Sequence, residues 1–312
     1  GTAAVAGASG SGSPEQPAAS RVTHKDAAIR RMITARLPPL LARAEQLAGT
    51  VLLGEHGRRR SGMGDDFWQY RPEQQGDSAA MIDWRRSARG DTQFVREREW
   101  QIAQSVMLWV DQAASMQFTS EPERIETKAD RARLLALAVA VLLTRGGERV
   151  GLTGTGLPPQ RGRAQVMRLA EMLSRDEAAE YGVPEHRAML PHARAVFVSD
   201  FLGDMNETRL ALTKAADRGV RGVLYQVLDP SEEVFPFAGR TVFQSVGGSI
   251  SHETLKASDL RGRYLERLAA RKDELEGLAR ATGWRFGTHH TAQSAQAALL
   301  WLWAAVSGSA PS

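Results

Sequence analysis

The chain has no cysteine, which excludes disulfides, thiolate metal sites and cysteine nucleophiles together. It also lacks any apolar run long enough to cross a bilayer. The longest, Leu134 to Leu143, has ten residues between Arg133 and Thr144, against the ~20 that a span needs, so it reads as a buried helix. No basic segment followed by an apolar core opens the chain, so no signal peptide is expected and a cytoplasmic location fits. The glycine signatures of nucleotide chemistry are missing too. Gly54-x-x-Gly57 is not followed by Gly-Lys-Ser/Thr, and Gly151 to Gly156 has neither the dinucleotide spacing nor an acid ~20 residues on. No Gly-x-Ser-x-Gly elbow sits on a strand–helix turn. Nothing in the sequence indicates catalysis, and no enzymatic activity is expected. The charge excess is small: 40 Lys and Arg against 36 Asp and Glu leave +4, too little to argue for nucleic acid by itself.

What is present is an ordinary globular composition. Of 312 residues, 42% are hydrophobic and 24% charged, enough for a buried core under a charged surface. Residues 1–22 form an expected disordered tail, because Gly1 to Ser20 is rich in Gly, Ala, Ser and Pro and carries only Val5 as a large apolar residue. Residues 23–103 form a second unit. Ile29, Met32, Ile33, Leu37, Leu40, Leu41 and Leu47 recur at helical spacing, interrupted by Pro38-Pro39, which predicts one helix or two meeting at the prolines. A Gly-, Arg- and Asp-rich stretch with short strands follows, including a strand over Thr92 to Glu99. Residues 308–312 are a short tail.

Residues 104–307 read as an α/β domain. Apolar strands are expected at Ser105–Val110, Glu148–Thr153, Ala193–Val198, Val220–Leu228 and Trp284–Gly287. Helices are expected at Thr127–Arg145, Gln165–Leu173, Met205–Arg218, Leu260–Thr282 and Gln293–Val306. Continuous apolar strands alternating with helices predict a doubly wound, mostly parallel, Rossmann-type sheet covered on both faces. A small β-containing N-terminal subdomain and an N-terminal helix precede it. Pro230 to Ser258 breaks the alternation, with a short β excursion expected around Arg240–Gln244.

Two strands end in aspartate, Trp109-Val110-Asp111 and Val198-Ser199-Asp200. Ligands of open α/β sheets sit outside the carboxyl ends of strands, where strand order reverses. With Ser115 in the following turn, these oxygens are of the type that hold a hard cation such as Mg²⁺ or Mn²⁺. The plainer alternative is helix capping and turn formation, which favour the same residue types.

Asp111-Gln112-Ala113-Ala114-Ser115 resembles the Asp-x-Ser-x-Ser metal-ion-dependent adhesion site of von Willebrand factor A domains, with Ala113 in place of the first serine. The resemblance implies a degenerate site with Asp111, Ser115 and Asp200 as metal ligands. Thr155, in the loop after the second strand of the domain, is the counterpart of the family's threonine. The N-terminal half is more specific. Gly57-Arg58-Arg59-Arg60-Ser61-Gly62-x-Gly64-x-Asp66-Phe67, Tyr70-Arg71, Gly76-Asp77, Ile82-Asp83-Trp84-Arg85-x-Ser87-Ala88-Arg89 and Val95-Arg96-Glu97 resemble the signature of the domain of unknown function 58 family. That resemblance implies a von Willebrand A-like domain and a MoxR-type AAA+ ATPase, or its client, as partner of a non-enzymatic, chaperone-like interaction module.

Two other readings stay open. A Mg²⁺-dependent hydrolase could use Asp111 and Asp200, although it lacks an evident general base beyond Asp65, Asp66 or His56. Nucleic acid could contact Arg58, Arg59 and Arg60, against the alternative that these arginines pair with the carboxylates around them. Asp83-Trp84-Arg85 is expected to anchor the subdomain by packing. The adjacent His289 and His290 should diverge on a strand, and Trp301 and Trp303 should pack.

Overall fold

The computed structural model describes residues 39–51, 67–74, 82–88, 90, 92–98, 103–177, 179–187, 189–244 and 251–307. Its centre is one parallel sheet. β3 (Ser105–Val110), β4 (Arg149–Leu152), β5 (Arg194–Ser199), β6 (Arg221–Leu228) and β9 (Arg285–His290) lie in the order β4-β3-β5-β6-β9. Every neighbouring pair is parallel, as expected when each crossover passes through a helix. Strand order reverses at β3, which has β4 on one side and β5 on the other.

Alternation along the strands sorts the core into two layers. Val106, Leu108 and Val110 of β3 join Val196 and Val198 of β5 on one face. Met107 and Trp109 join Ala195 and Phe197 on the other. The first face is covered by a helix over residues 39–51 (α1), α3 (Lys128–Arg145), α4 (Arg163–Leu173) and α8 (Ala295–Ser307). The second is covered by α5 (Met205–Asp217) and α7 (Ser258–Thr282). This is the doubly wound arrangement.

α3 is the Leu134–Leu143 run seen in sequence. Thr127 caps it by accepting from Asp130 N, and Leu134 to Leu143 is buried throughout. A helix apolar on all sides belongs between other layers, and α3 lies between the sheet, α4 and α8.

α1 falls in the 23–103 segment, yet Ala44, Ala48 and Val51 join the core beside α3. The main domain therefore draws its first helix from across the expected boundary at residue 103. β1 (Phe67–Pro72) and β2 (Phe94–Arg98) pair antiparallel, flanking a single helical turn, α2 (Trp84–Ser87). Between β6 and α7 lie a short helix, α6 (Pro230–Val234), and an antiparallel pair, β7 (Thr241–Gln244) and β8 (Ser251–Thr254). The pair is the expected β excursion; α6 adds to it.

Trp301 and Trp303 pack against the core as expected. A Cβ on Gly287 would lie 2.5 Å from the Trp301 ring, so glycine in β9 is what lets that ring lie on the sheet. Among the described residues no helix is long and apolar enough to cross a membrane.

Candidate functional site

Three of the parallel strands carry an aspartate at or just past their carboxyl ends: Asp111, Asp200 and Asp229. All three are buried, but their surroundings differ.

Asp111 is sealed. Its Oδ1 accepts from Ala113 N at 2.9 Å and its Oδ2 from Ser199 Oγ at 2.6 Å. The chain after α4 folds over it: Glu177 N donates to Gln112 O, Ala114 N to Ala179 O and Ser115 N to Glu180 O. Gly182 then packs so closely that a Cβ there would fall 2.3 Å from Asp111 Oδ1. Burial pushes the Asp111 carboxyl above the usual range, and the charge of nearby Asp200 adds to this against the Ser199 hydrogen bond.

Asp200 is paired. Its Oδ1 accepts from Leu202 N at 3.0 Å and its Oδ2 from Lys128 Nζ at 2.8 Å. Lys128 also donates to Glu232 Oε1 at 2.7 Å, and only 1% of its side chain is exposed. Its charge lies 5.7 Å from the centre of the Phe118 ring, within cation–π range. Burial opposes the ammonium, but Asp200 and Glu232 outweigh it and hold Lys128 protonated well above the usual lysine range. Burial pushes Glu232 up in spite of Lys128.

Asp229 is a cap. It accepts from Ser120 N, Ser231 N and Ser231 Oγ. Glu232 closes a capping box by accepting from Asp229 N at 2.8 Å. Glu232 therefore uses one oxygen to hold α6 in place and the other to hold Lys128.

Above the Lys128–Asp200–Glu232 cluster lies a cavity of about 870 Å³. Its walls include Phe118, Phe235, Phe237, Tyr181 and Tyr264, and Arg263 and Arg267 line it from α7. Phe235 caps α6 with a left-handed backbone, φ 47°, and its ring meets Phe237 at 5.2 Å and Tyr264 at 4.8 Å. Ser115 lines the same cavity, and its buried Oγ has no hydrogen-bond partner.

The structure thus brings Ser115 and Asp200 together at the cavity and places Asp111 beneath it, behind Gly182. Thr155 is engaged elsewhere: its hydroxyl donates to Leu152 O and accepts from Leu157 N within its own turn. Arg58, Arg59, Arg60, Ser61, Asp66, Asp77 and Arg89 lie outside the described residues, as do His56 and Asp65. Asp83 accepts from Arg86 N at 3.0 Å and so caps α2. Arg85 is exposed. Trp84 corrects the packing expectation. It is 59% exposed; the buried residue of this single turn is Ser87, tied to β2 through Phe94 N.

The model of the family described as "Protein of unknown function DUF58" matches residues 69–274, about two thirds of the chain. The chain belongs to this family. Uncharacterized proteins of Mycobacterium bovis and Mycobacterium tuberculosis are 27% identical over 266 residues, covering 80% of this chain and 82% of theirs. Two solved structures are similar at 14% identity, each covering 66% of this chain and 100% of its own. They are a conserved hypothetical protein BatB from Bacteroides thetaiotaomicron, TM-score 0.39, and an aerotolerance-related membrane protein from Bacteroides fragilis, TM-score 0.37.

In this DUF58 chain the sequence reading missed Lys128, Glu232 and Asp229. Two signals were available. Lys128 is a cation at the first position of a predicted helix, where its charge opposes the helix dipole, and Asp229-Pro230 is a cap followed by proline at the first helical position.

Proposed function

We propose that the chain is a non-enzymatic, von Willebrand A-like interaction module whose protein partner docks over the carboxyl ends of β3, β5 and β6. By the family resemblance, the partner is a MoxR-type AAA+ ATPase or its client, in a chaperone-like assembly role within the cytoplasm.

The observation that carries this reading is the aromatic-walled cavity at the strand-order reversal, where ligands of such sheets sit. Its volume falls in the range of sites that take a side chain or small ligand. The segments that carry or adjoin its lining also expose apolar side chains. Val242, a lining residue, is 52% exposed; Val234, next to Phe235, is 55% exposed; Leu255, next to β8, is 76% exposed. Large apolar side chains left in water beside a cavity mark interaction surfaces. The strand-end carboxylates speak against hydrolysis, since Asp111 is sealed and Asp200 and Glu232 are engaged with Lys128. Neither is free to act as a general base without breaking that pairing.

The test uses the exposed residues, because Asp111 and Asp200 are buried and replacing them would mix folding with binding. Affinity for a MoxR-type ATPase, the partner that the family resemblance implies, should fall at least about tenfold for Val242→Asp plus Leu255→Asp. Unchanged affinity with a native melting profile would remove this face from the mechanism.

A further inference from the structure

Asp111, Ser115 and Asp200 suggest a place for a divalent cation, so what neutralises these carboxylates is a question the geometry can answer. All four oxygens of Asp111 and Asp200 already accept a hydrogen bond, from Ala113 N, Ser199 Oγ, Leu202 N and Lys128 Nζ. Ala113 has no hydroxyl, Thr155 is bound within its own turn, and the Gly182 backbone lies against the Asp111 carboxylate. Among the described residues no three His, Cys, Asp or Glu side chains converge as a metal-ligand set. Magnesium demands near-octahedral oxygen coordination, and these residues do not fit it.

A positive charge is nevertheless present. Lys128 Nζ lies 2.8 Å from Asp200 Oδ2 and 2.7 Å from Glu232 Oε1, with both partners on elements that end at the cavity. It is the first residue of α3, where its charge opposes the positive end of the helix dipole. A buried ammonium in that position needs two favourable carboxylates to offset its desolvation.

We propose that Lys128 is the resident cation of the strand-end site. Its ammonium takes the place a divalent ion would hold beside Asp200, and the edge works without metal. This neither rests on the docking reading nor supports it, since it concerns the isolated chain.

Isothermal titration of the full chain with MgCl₂, and separately with MnCl₂, tests it. Wild type should give no saturable heat. A saturable isotherm that Asp200→Asn abolishes would overturn the proposal, whereas one that Asp200→Asn leaves unchanged lies elsewhere and agrees with it. The second arm is Lys128→Ser, which frees Asp200 and Glu232. This variant should gain a Mn²⁺-dependent rise in Tm of several degrees that wild type lacks, and adding Asp200→Asn should remove it. A folded Lys128→Ser with no such response would also overturn the proposal. If Lys128→Ser does not fold, the wild-type titration decides alone. No partner is present in either arm, so failure here leaves the docking proposal standing, and failure of docking leaves this one.

Discussion

Two buried cations stand one turn apart on α3, and they behave differently. Arg131 donates from Nη1 to His289 Nε2 at 2.6 Å and to Gln293 O at 2.8 Å, from Nη2 to Thr291 O at 2.8 Å, and from Nε to Glu126. Glu126 in turn accepts from Arg43 on α1 at 2.6 Å. Arg131 borders a cavity of about 620 Å³, yet each of its guanidinium nitrogens has a partner. Lys128 instead meets two side-chain carboxylates beneath a larger, aromatic-walled cavity. The planar, many-toothed guanidinium suits fixed backbone carbonyls and locks the β9–α8 corner to α3 and α1. The compact ammonium balances two carboxylates at the floor of the cavity. Burial alone therefore does not separate a structural lock from a site; the type of partner does.

The strongest way to break this comparison is to delete each cation. Lys128→Ala leaves Asp200 and Glu232 buried without their counter-charge and should cost about 3–5 kcal/mol in urea unfolding at neutral pH. Arg131→Ala leaves Glu126 its Arg43 partner and orphans carbonyls, so about 2–3 kcal/mol is expected. A larger loss for Arg131 would reverse the assignment.

The second prediction concerns His289. Burial and the Arg131 charge push its pKa down to about 4. The unfolded chain, with a histidine pKa of ~6.5, then binds the extra proton between these values. Stability from this group is complete above about pH 6.5 and is lost as pH falls towards 4, by on the order of 3 kcal/mol. Urea midpoints measured across that window should fall for wild type and fall less steeply for His289→Gln. Equal slopes would mean that His289 is not held neutral by its burial beside Arg131.

Smaller effects separate the two strand-end aspartates. Asp111 is held high by burial, so its ionised form opposes folding and Asp111→Asn should lose no more than about 1 kcal/mol at neutral pH. Asp200→Asn strips Lys128 of a charged partner and should lose more. Thermal melts that rank them the other way would contradict the geometry. Smallest of all, Arg263→Ala and Arg267→Ala at the cavity should change stability by less than ~0.5 kcal/mol, while weakening partner binding.

The main domain was legible because its signals are local. Alternation in Ser105–Val110 and the apolar run in α3 specify strand and helix wherever the chain lies. β9 continues past Gly287 to His290 because β6 offers it register partners as far as Leu228, information that its own residues do not carry. Asp111 and Asp200 look alike in sequence, each following an apolar strand, and distant residues distinguish them: Gly182 over Asp111 and Lys128 beside Asp200. The pairing of Lys128 with Glu232 spans 104 residues, so no spacing rule connects them. Trp84 looked like an anchor because tryptophan usually packs, yet the structure leaves its ring 59% exposed while Ser87 is buried.

The most direct test of the strand-end face is hydrogen–deuterium exchange on the chain with and without the MoxR-type ATPase proposed as its partner. New protection is expected in the segments around Phe118–Ser120, Ser231–Phe237, Thr241–Val242, Thr254–Leu255 and Leu260–Arg267. Protection centred on α5 or on the β4 edge, with these segments unchanged, would contradict the docking proposal.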